Sequence, residues 1–150
     1  MSITLRAATR EDAATIAGFN SAMALETEAR TLDRETIAQG VLALLTDERK
    51  GRYWVAESGD TLAGQLMLTY EWSDWRNGVI WWIQSVYVHP DFRRQGVFRQ
   101  LFEHVKRLAE ADPAACGIRL YVEKDNRRAQ ATYAALGMNS DKYLVMEAVP

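Results

Sequence analysis

The stretch "VYVHPDFRRQGVFRQLFEHV" (residues 86–105) decides how this chain is read. It opens as a β-run, breaks at His89-Pro90, turns through Arg93, Arg94 and Gly96, and closes as an amphipathic helix. A helix start exposes unpaired backbone N–H groups and the positive end of the helix dipole. Both favour a bound anion, phosphate in particular. Gly96 carries no Cβ, so a phosphate can approach its backbone, and Arg93, Arg94 and Arg99 bring positive charge to the same place. The plainer reading is that Gly96 only shapes a turn and the arginines are solvated. Two other phosphate motifs fail here. A Walker A loop needs a Gly-Lys-Ser/Thr ending that "RRQGVFRQ" lacks, and a dinucleotide fingerprint needs three spaced glycines in the first βα turn.

Outward from this junction the chain alternates between strand and helix patterns. "ITLRAA" (3–8) reads as a strand, and Thr9 with Asp12 forms a capping-box pattern before a helix over about 10 to 25 bearing Ile16, Phe19 and Met23. Asp33 caps a second helix with Ile37, Val41, Leu44 and Leu45 on one face. "GRYWVAES" (51–58) and "TLAGQLMLTYEW" (61–72) form a hairpin about Gly59-Asp60. After a turn at Asn77-Gly78, "VIWWIQSVYV" (79–88) is apolar on both faces, as a doubly covered central strand should be. A helix over about 95 to 110, a buried strand at 117–123, a helix at 126–137 and a last strand at 142–149 complete the order. The pattern is an α/β mixture with a central sheet.

Composition bounds the rest. At 150 residues the chain is expected to be one domain over 1–150, and a net charge of −2 argues against a general nucleic-acid binder. No run approaches the ~20 apolar residues of a membrane span, and "MSITLRAATRED" has no signal core, so no membrane partner is expected. Cys116 stands alone beside Gly117 with no visible base, which reads as a small structural residue in a reducing compartment. These features point to a cytoplasmic protein. No metal site is read.

Arg93-Arg94-Gln95-Gly96-Val97-Phe98 resembles the Arg/Gln-x-x-Gly-x-Gly/Ala cofactor signature of the GNAT family of N-acetyltransferases. "VYVHPDF" is similar to that family's pantetheine-binding strand edge. "LYVEKDNRRAQATYAALGM" (120–138) is similar to its next strand and helix, with Asn126, Ala129, Tyr133 and Gly137-Met138 at the expected spacing. Residues 80–138 carry the resemblance by motif, and residues 1–50 only by pattern. It implies a GNAT fold: a mixed central β-sheet flanked by helices, with strands 79–88 and 117–123 splayed to hold acyl-CoA. It further implies acetyl-CoA as co-substrate, its pantetheine along Val86, Tyr87 and Val88. Its diphosphate would lie at Arg93, Arg94, Gln95, Gly96, Val97, Phe98 and Arg99, with further contacts from Asn126 and Ala129. Tyr133 matches the general acid. Many relatives pair as dimers, so a homodimer is an expectation too.

Phe98 departs from the signature, where a small residue is usual. Either the diphosphate sits further out on the N–H groups of 95 to 99, or the Phe98 ring packs beside Phe102 and only its N–H faces the cofactor. The apolar face 98, 101, 102 and 105 favours the second.

The acceptor side is less legible. An amine of pKa near ~10.4 must lose its proton before attack, and Gln84, in the neighbourhood where many relatives place a carboxylate, cannot titrate. Glu26, Glu28, Glu71 and Asp74 are the candidates for the base, each more readily a solvated surface charge. His89 and His104 read as structural. "EWSDWRNGVIWW" holds Trp72, Trp75, Trp81 and Trp82. Trp72, with Glu26, Glu71 and Gln84, could line a site for an amine, whose cation tryptophan faces attract. Equally, Trp72 and Trp75 could form a dimer contact. The expected activity is acetyl transfer from acetyl-CoA to a primary amine by direct attack in a ternary complex. The alternatives are a non-catalytic acyl-CoA-binding module and a protein-interaction domain on the same fold.

Overall fold

The computed structural model describes residues 2–140 and 142–150. The elements are β1 (Thr4–Ala7), a 3-10 turn (Arg10–Asp12), α1 (Ala13–Glu28), α2 (Arg34–Leu45), β2 (Arg52–Ser58), β3 (Thr61–Ser73) and β4 (Gly78–Val88). A second 3-10 turn (Pro90–Phe92), α3 (Val97–Ala111), β5 (Ala115–Leu120) and α4 (Arg127–Ala135) follow. One mixed sheet runs in the order β1-β2-β3-β4-β5. Its first four strands are antiparallel, and β4 and β5 are parallel, joined by the crossover helix α3.

Local signals explain the boundaries. The backbone N–H of Thr9 donates to Asp12 Oδ2 at 2.8 Å, and Asp33 Oδ2 accepts from Thr36 N–H at 2.9 Å, so both helix starts are capped by the residues the pattern named. Gly59 and Asn77 take positive φ at the two hairpin turns.

Two apolar layers hold the sheet. On one face α3 places Val97, Leu101, Phe102 and Val105 against Leu66, Leu68 and Ile83. On the other, Ile16 and Phe19 of α1 and Val41 and Leu44 of α2 meet Tyr53, Val55 and Tyr87. Each stripe follows the helical period, whose apolar positions share one side.

Three expectations change. Strand β4 is only partly covered, because α1 and α2 leave one face open along its first half, where Trp82 and Gln84 are half-buried. The strand expected at 117–123 ends at Leu120; Tyr121 and Val122 leave the sheet and are exposed. The closing strand expected at 142–149 does not form, and Tyr143, Leu144, Val145 and Met146 lie exposed outside the sheet. An apolar run satisfies a strand pattern without providing a neighbour to pair with.

Candidate active site

The site begins with a kink in β4. Met67 pairs with Gln84 and Gln65 with Tyr87, so Ser85 and Val86 together oppose Leu66, a β-bulge. Ser85 sits at φ 52°, which a non-glycine residue adopts only when its surroundings hold it there. The holding group is Gln65, fully buried in β3, whose Nε2 donates to the Ser85 carbonyl at 3.0 Å and to Asn20 Oδ1 at 3.1 Å. Asn20 in turn donates to the Tyr53 hydroxyl at 3.2 Å. Burial pushes the Tyr53 phenol above its ordinary value.

The bulge reverses the alternation of β4. Before it, Trp81 and Ile83 face α3; after it, Val86 and Val88 do, and Tyr87 turns to α1. There its ring lies 5.0 Å from that of Phe19, and its hydroxyl donates to Glu26 Oε1 at 3.2 Å. Beyond the pair Ile83–Leu120, β4 and β5 no longer bond. Residues 84–88 therefore keep β3 on one side and present an open edge on the other. Unsatisfied strand amides there can take an extended amide-bearing ligand as an added strand.

This edge leads into a cleft of about 640 Å³ between β4, the start of α3 and α4. Gly96 precedes α3 at φ 75°, and a Cβ built there would meet nothing within 4 Å. The glycine thus permits the left-handed turn and leaves its outer side open. No side chain caps α3, so its first N–H groups face the cleft mouth unpaired by side chains. Arg94, also left-handed at φ 65°, lines the cleft with Arg93, Arg99 and Arg128.

These arginines are not equivalent. Arg93 turns back: its Nε donates to the Val88 carbonyl at 2.9 Å, its Nη2 to Glu26 Oε2 at 2.9 Å, and it lies over the Tyr87 ring. Arg99 pairs with Glu103 at 3.0 Å one turn on. Arg94 and Arg128 make no ion pair among the described residues. Gln95 donates to the Asp91 carbonyl at 3.1 Å and shapes the turn. The cleft therefore suits an anion carried on an extended arm.

Other residues singled out from the sequence fall as follows. Val88, Val97 and Phe98 line the cleft. Phe98 packs beside Phe102 at 6.1 Å, and its ring also meets Tyr133 edge to face at 5.7 Å. Asn126 caps α4, its Oδ1 accepting from Ala129 N–H at 3.1 Å. The α4 stripe along the cleft is Arg128, Thr132, Ala135 and Leu136, whereas the stripe of Asn126, Ala129 and Tyr133 is turned roughly 100° round the helix. Tyr133 reaches the site through Phe98, and burial raises its phenol above the ordinary value.

On the opposite face lie Glu71, Trp82 and Gln84. Trp82 Nε1 donates to Glu71 Oε1 at 2.8 Å, and its ring stacks on Tyr121 at 4.5 Å. Gln84 Nε2 donates to Thr69 Oγ1 at 2.5 Å. Trp72 is exposed on the rim of a smaller hollow of about 370 Å³ with Glu71, Trp75, Arg119 and Tyr143. The sequence reading missed Arg128 and the Asn20–Gln65–Ser85 bond. Asn20 inside an apolar helix stripe and Gln65 inside an apolar strand were the available signals.

A parallel strand pair that parts over a bulge, with an uncapped helix start at its end, is the arrangement that the resemblance to the GNAT fold implies. The sequence profile of the Acetyltransferase (GNAT) family matches residues 18–138, and the chain belongs to that family. A structure of a possible acetyltransferase from Clostridium difficile 630 is 47% identical, covers 100% of this chain and 99% of its own, and superposes at a TM-score of 0.94. A probable acetyltransferase superposes at 0.82 with 23% identity, covering 100% of this chain and 97% of its own. A ribosomal-protein-alanine N-acetyltransferase from Brucella melitensis biovar Abortus 2308 shares the fold at 0.80 with 15% identity, covering 99% and 100%. No curated protein matches the chain.

Proposed function

We propose that this protein transfers an acetyl group from acetyl-CoA to a primary amine by direct attack in a ternary complex. The observation that carries the reading is the continuous path from the open β4 edge at residues 84–88 to the left-handed Gly96 and the uncapped start of α3. When bound, acetyl-CoA would supply the activated acetyl, so that an amide N–C bond would form as the thioester C–S bond breaks. The amine proton would pass to water, Tyr133 would protonate the leaving sulfur, and solvent would return a proton to Tyr133.

The chain's own groups divide the remaining work. The N–H groups at the start of α3, with Arg94 and Arg128, bind the diphosphate. The edge of Val86 to Val88 orients the pantetheine arm, and an N–H there polarises the acyl carbonyl. Tyr133, kept neutral by burial, holds its proton at Oη for the leaving sulfur. On the other face Glu71 attracts the amine, since Trp82 occupies only its Oε1. Glu26 is committed to Arg93 and Tyr87 and is the poorer acceptor of an amine proton. A cytoplasmic site of action and a homodimer belong to the same reading.

Titration of acetyl-CoA into the wild type and into Gly96→Glu, followed by thiol release on a panel of amines, tests it. Binding by the wild type that the variant loses, with amine-dependent thiol release, is the expected result. Binding without turnover would instead favour an acyl-CoA-binding module, a second reading supported by the engagement of both carboxylates in hydrogen bonds. No binding at all would overturn both.

A further inference from the structure

Three polar side chains lie inside the apolar layer between α1 and the sheet. Gln65 is 0% exposed, Tyr53 3% and Asn20 4%, among Ile16, Phe19, Val55 and Tyr87. Polar groups buried in such a layer are costly unless they are hydrogen-bonded. Here the bonding is incomplete, because Gln65 Oε1 has no hydrogen-bond partner among the described residues. A methionine of similar size would fill the same space without an unpaired oxygen, so packing alone does not account for the glutamine.

What the glutamine supplies is direction. Its Nε2 donates one hydrogen to Asn20 Oδ1 at 3.1 Å and the other to the Ser85 carbonyl at 3.0 Å. The amide cannot be reversed, since its oxygen would then face that carbonyl. The peptide bonds are trans, so the Ser85 C=O and the Val86 N–H of the same peptide point opposite ways. The Val86 N–H is thereby aimed away from Gln65 and β3. The ladder agrees with this direction. His89 N–H donates to the Ala63 carbonyl at 2.8 Å, and antiparallel pairs alternate, so Tyr87 faces β3 while Val86 and Val88 turn their N–H groups to the open edge.

We infer that Gln65 is a positioning residue for acyl transfer: through the Ser85 carbonyl it aims and polarises the Val86 N–H toward the thioester carbonyl, and Asn20 holds Gln65 in that pose. A peptide whose carbonyl accepts a hydrogen bond has a stronger N–H donor. A donor fixed in advance needs no reorganisation as charge builds on the acyl oxygen. Neither Gln65 nor Asn20 lines the cleft, so both act through Ser85. The bulge itself is pinned as well by the pairs Gln65–Tyr87 and Met67–Gln84 on either side and by Val86 and Val88 against the α3 layer. Replacing Gln65 should therefore loosen the aim of one N–H and keep the edge. This inference rests on the acetyl-transfer reading above.

Infrared spectra of bound acetyl-CoA, isotope-labelled at the acyl carbonyl, test it in the wild type, Gln65→Met and Asn20→Ala, together with steady-state rates and titrations of acetyl-CoA and CoA. In the wild type the thioester carbonyl band should lie below its position in free acetyl-CoA. Gln65→Met should return the band most of the way and lower kcat about ten- to a hundredfold. The Kd for acetyl-CoA and for CoA should change less than about threefold. Retained CoA affinity separates loss of aim from loss of the edge. Asn20→Ala keeps Gln65 with one bond fewer and should give an intermediate band and a kcat about three- to tenfold lower; it decides if the methionine variant does not fold. An unshifted band in the wild type, a wild-type band in the deciding variant, or a fall in CoA affinity as large as the fall in rate would overturn the inference and leave acetyl transfer standing. Acetyl-CoA that does not bind the wild type, or binds with no amine turned over, would overturn the acetyl-transfer reading and this inference with it.

Discussion

Phe98 and Tyr133 meet edge to face with ring centroids 5.7 Å apart, joining the first turn of α3 to the last turn of α4. Phe98 stands where the family signature has a small residue, and its ring points along the helix toward Phe102. The bulk at this position therefore lies between the two helices and supports the candidate acid. An aromatic pair of this kind contributes about 1 kcal/mol beyond its area.

Phe98→Ala should separate these roles. If only the backbone N–H of residue 98 faces the diphosphate, the Kd for acetyl-CoA should change less than about threefold. Turnover should fall about tenfold as Tyr133 loses its neighbour, and stability should drop by ~2 kcal/mol. Calorimetry, steady-state rates and thermal unfolding measure the three. A large loss of affinity with unchanged turnover would show that the ring itself contacts the cofactor.

Glu26 competes for Arg93, one of the arginines at the cleft. Both side chains are about two-fifths exposed, so the pair contributes little to stability. Its effect on binding is larger, because a carboxylate beside an anion site opposes the anion. Glu26→Gln should tighten acetyl-CoA binding about threefold at low salt, and the gain should fade as ionic strength rises. Weaker binding in the variant would mean that the pair instead holds Arg93 in its productive place.

Much of this architecture was legible because local rules and tertiary structure agree. Thr9, Asp33, Gly59 and Asn77 each act where turn and cap chemistry place them, and the α3 stripe packs as its period requires. The bulge was not legible, because "VIWWIQSVYV" reads as uninterrupted strand and the kink is imposed by Gln65 twenty residues away in sequence. Which α4 stripe lines the cleft was not legible for a related reason. A helical wheel fixes which residues share a stripe, while the packing of Leu136 and Met138 against the core decides which stripe meets the cleft. For residues 142–149 the apolar pattern suggested a strand that does not form, because pairing needs a neighbour that no pattern supplies.

The left-handed Ser85 gives a test of the bulge. Ser85→Gly should be neutral or stabilise by up to ~1 kcal/mol, since glycine adopts φ 52° without a Cβ clash. Ser85→Val should cost ~3 kcal/mol, because a β-branched residue resists that conformation. Acetyl-CoA affinity should fall with it, as the parity of Val86 and Val88 depends on the bulge. Denaturant unfolding and calorimetry on the two variants measure both effects. Equal stability of the two would mean that the strand can straighten without loss.

Arg6 couples the start of the chain to the sheet, donating to Asp12 Oδ2 at 2.8 Å, to Asp12 Oδ1 at 2.9 Å and to Glu57 Oε2 at 3.0 Å. The guanidinium, and after it the Thr9 N–H, holds the Asp12 carboxyl below its ordinary value of 3.8, against the opposing effect of burial. A carboxyl depressed in the folded state binds its proton more weakly there than in the unfolded chain. Its stabilisation is therefore complete above the ordinary value and is lost as pH falls through the lower, folded value. Arg6 stays charged throughout, its own value raised by the same two carboxylates. Asp12→Asn should thus cost about 2 kcal/mol, or about 5 °C in Tm, at pH 7. The gap between variant and wild type should narrow as the solution is taken below about pH 4. Thermal unfolding of both proteins across pH 3 to 7 measures it, and a gap independent of pH would assign the loss to the N-terminal turn of α1 rather than to the ion pair.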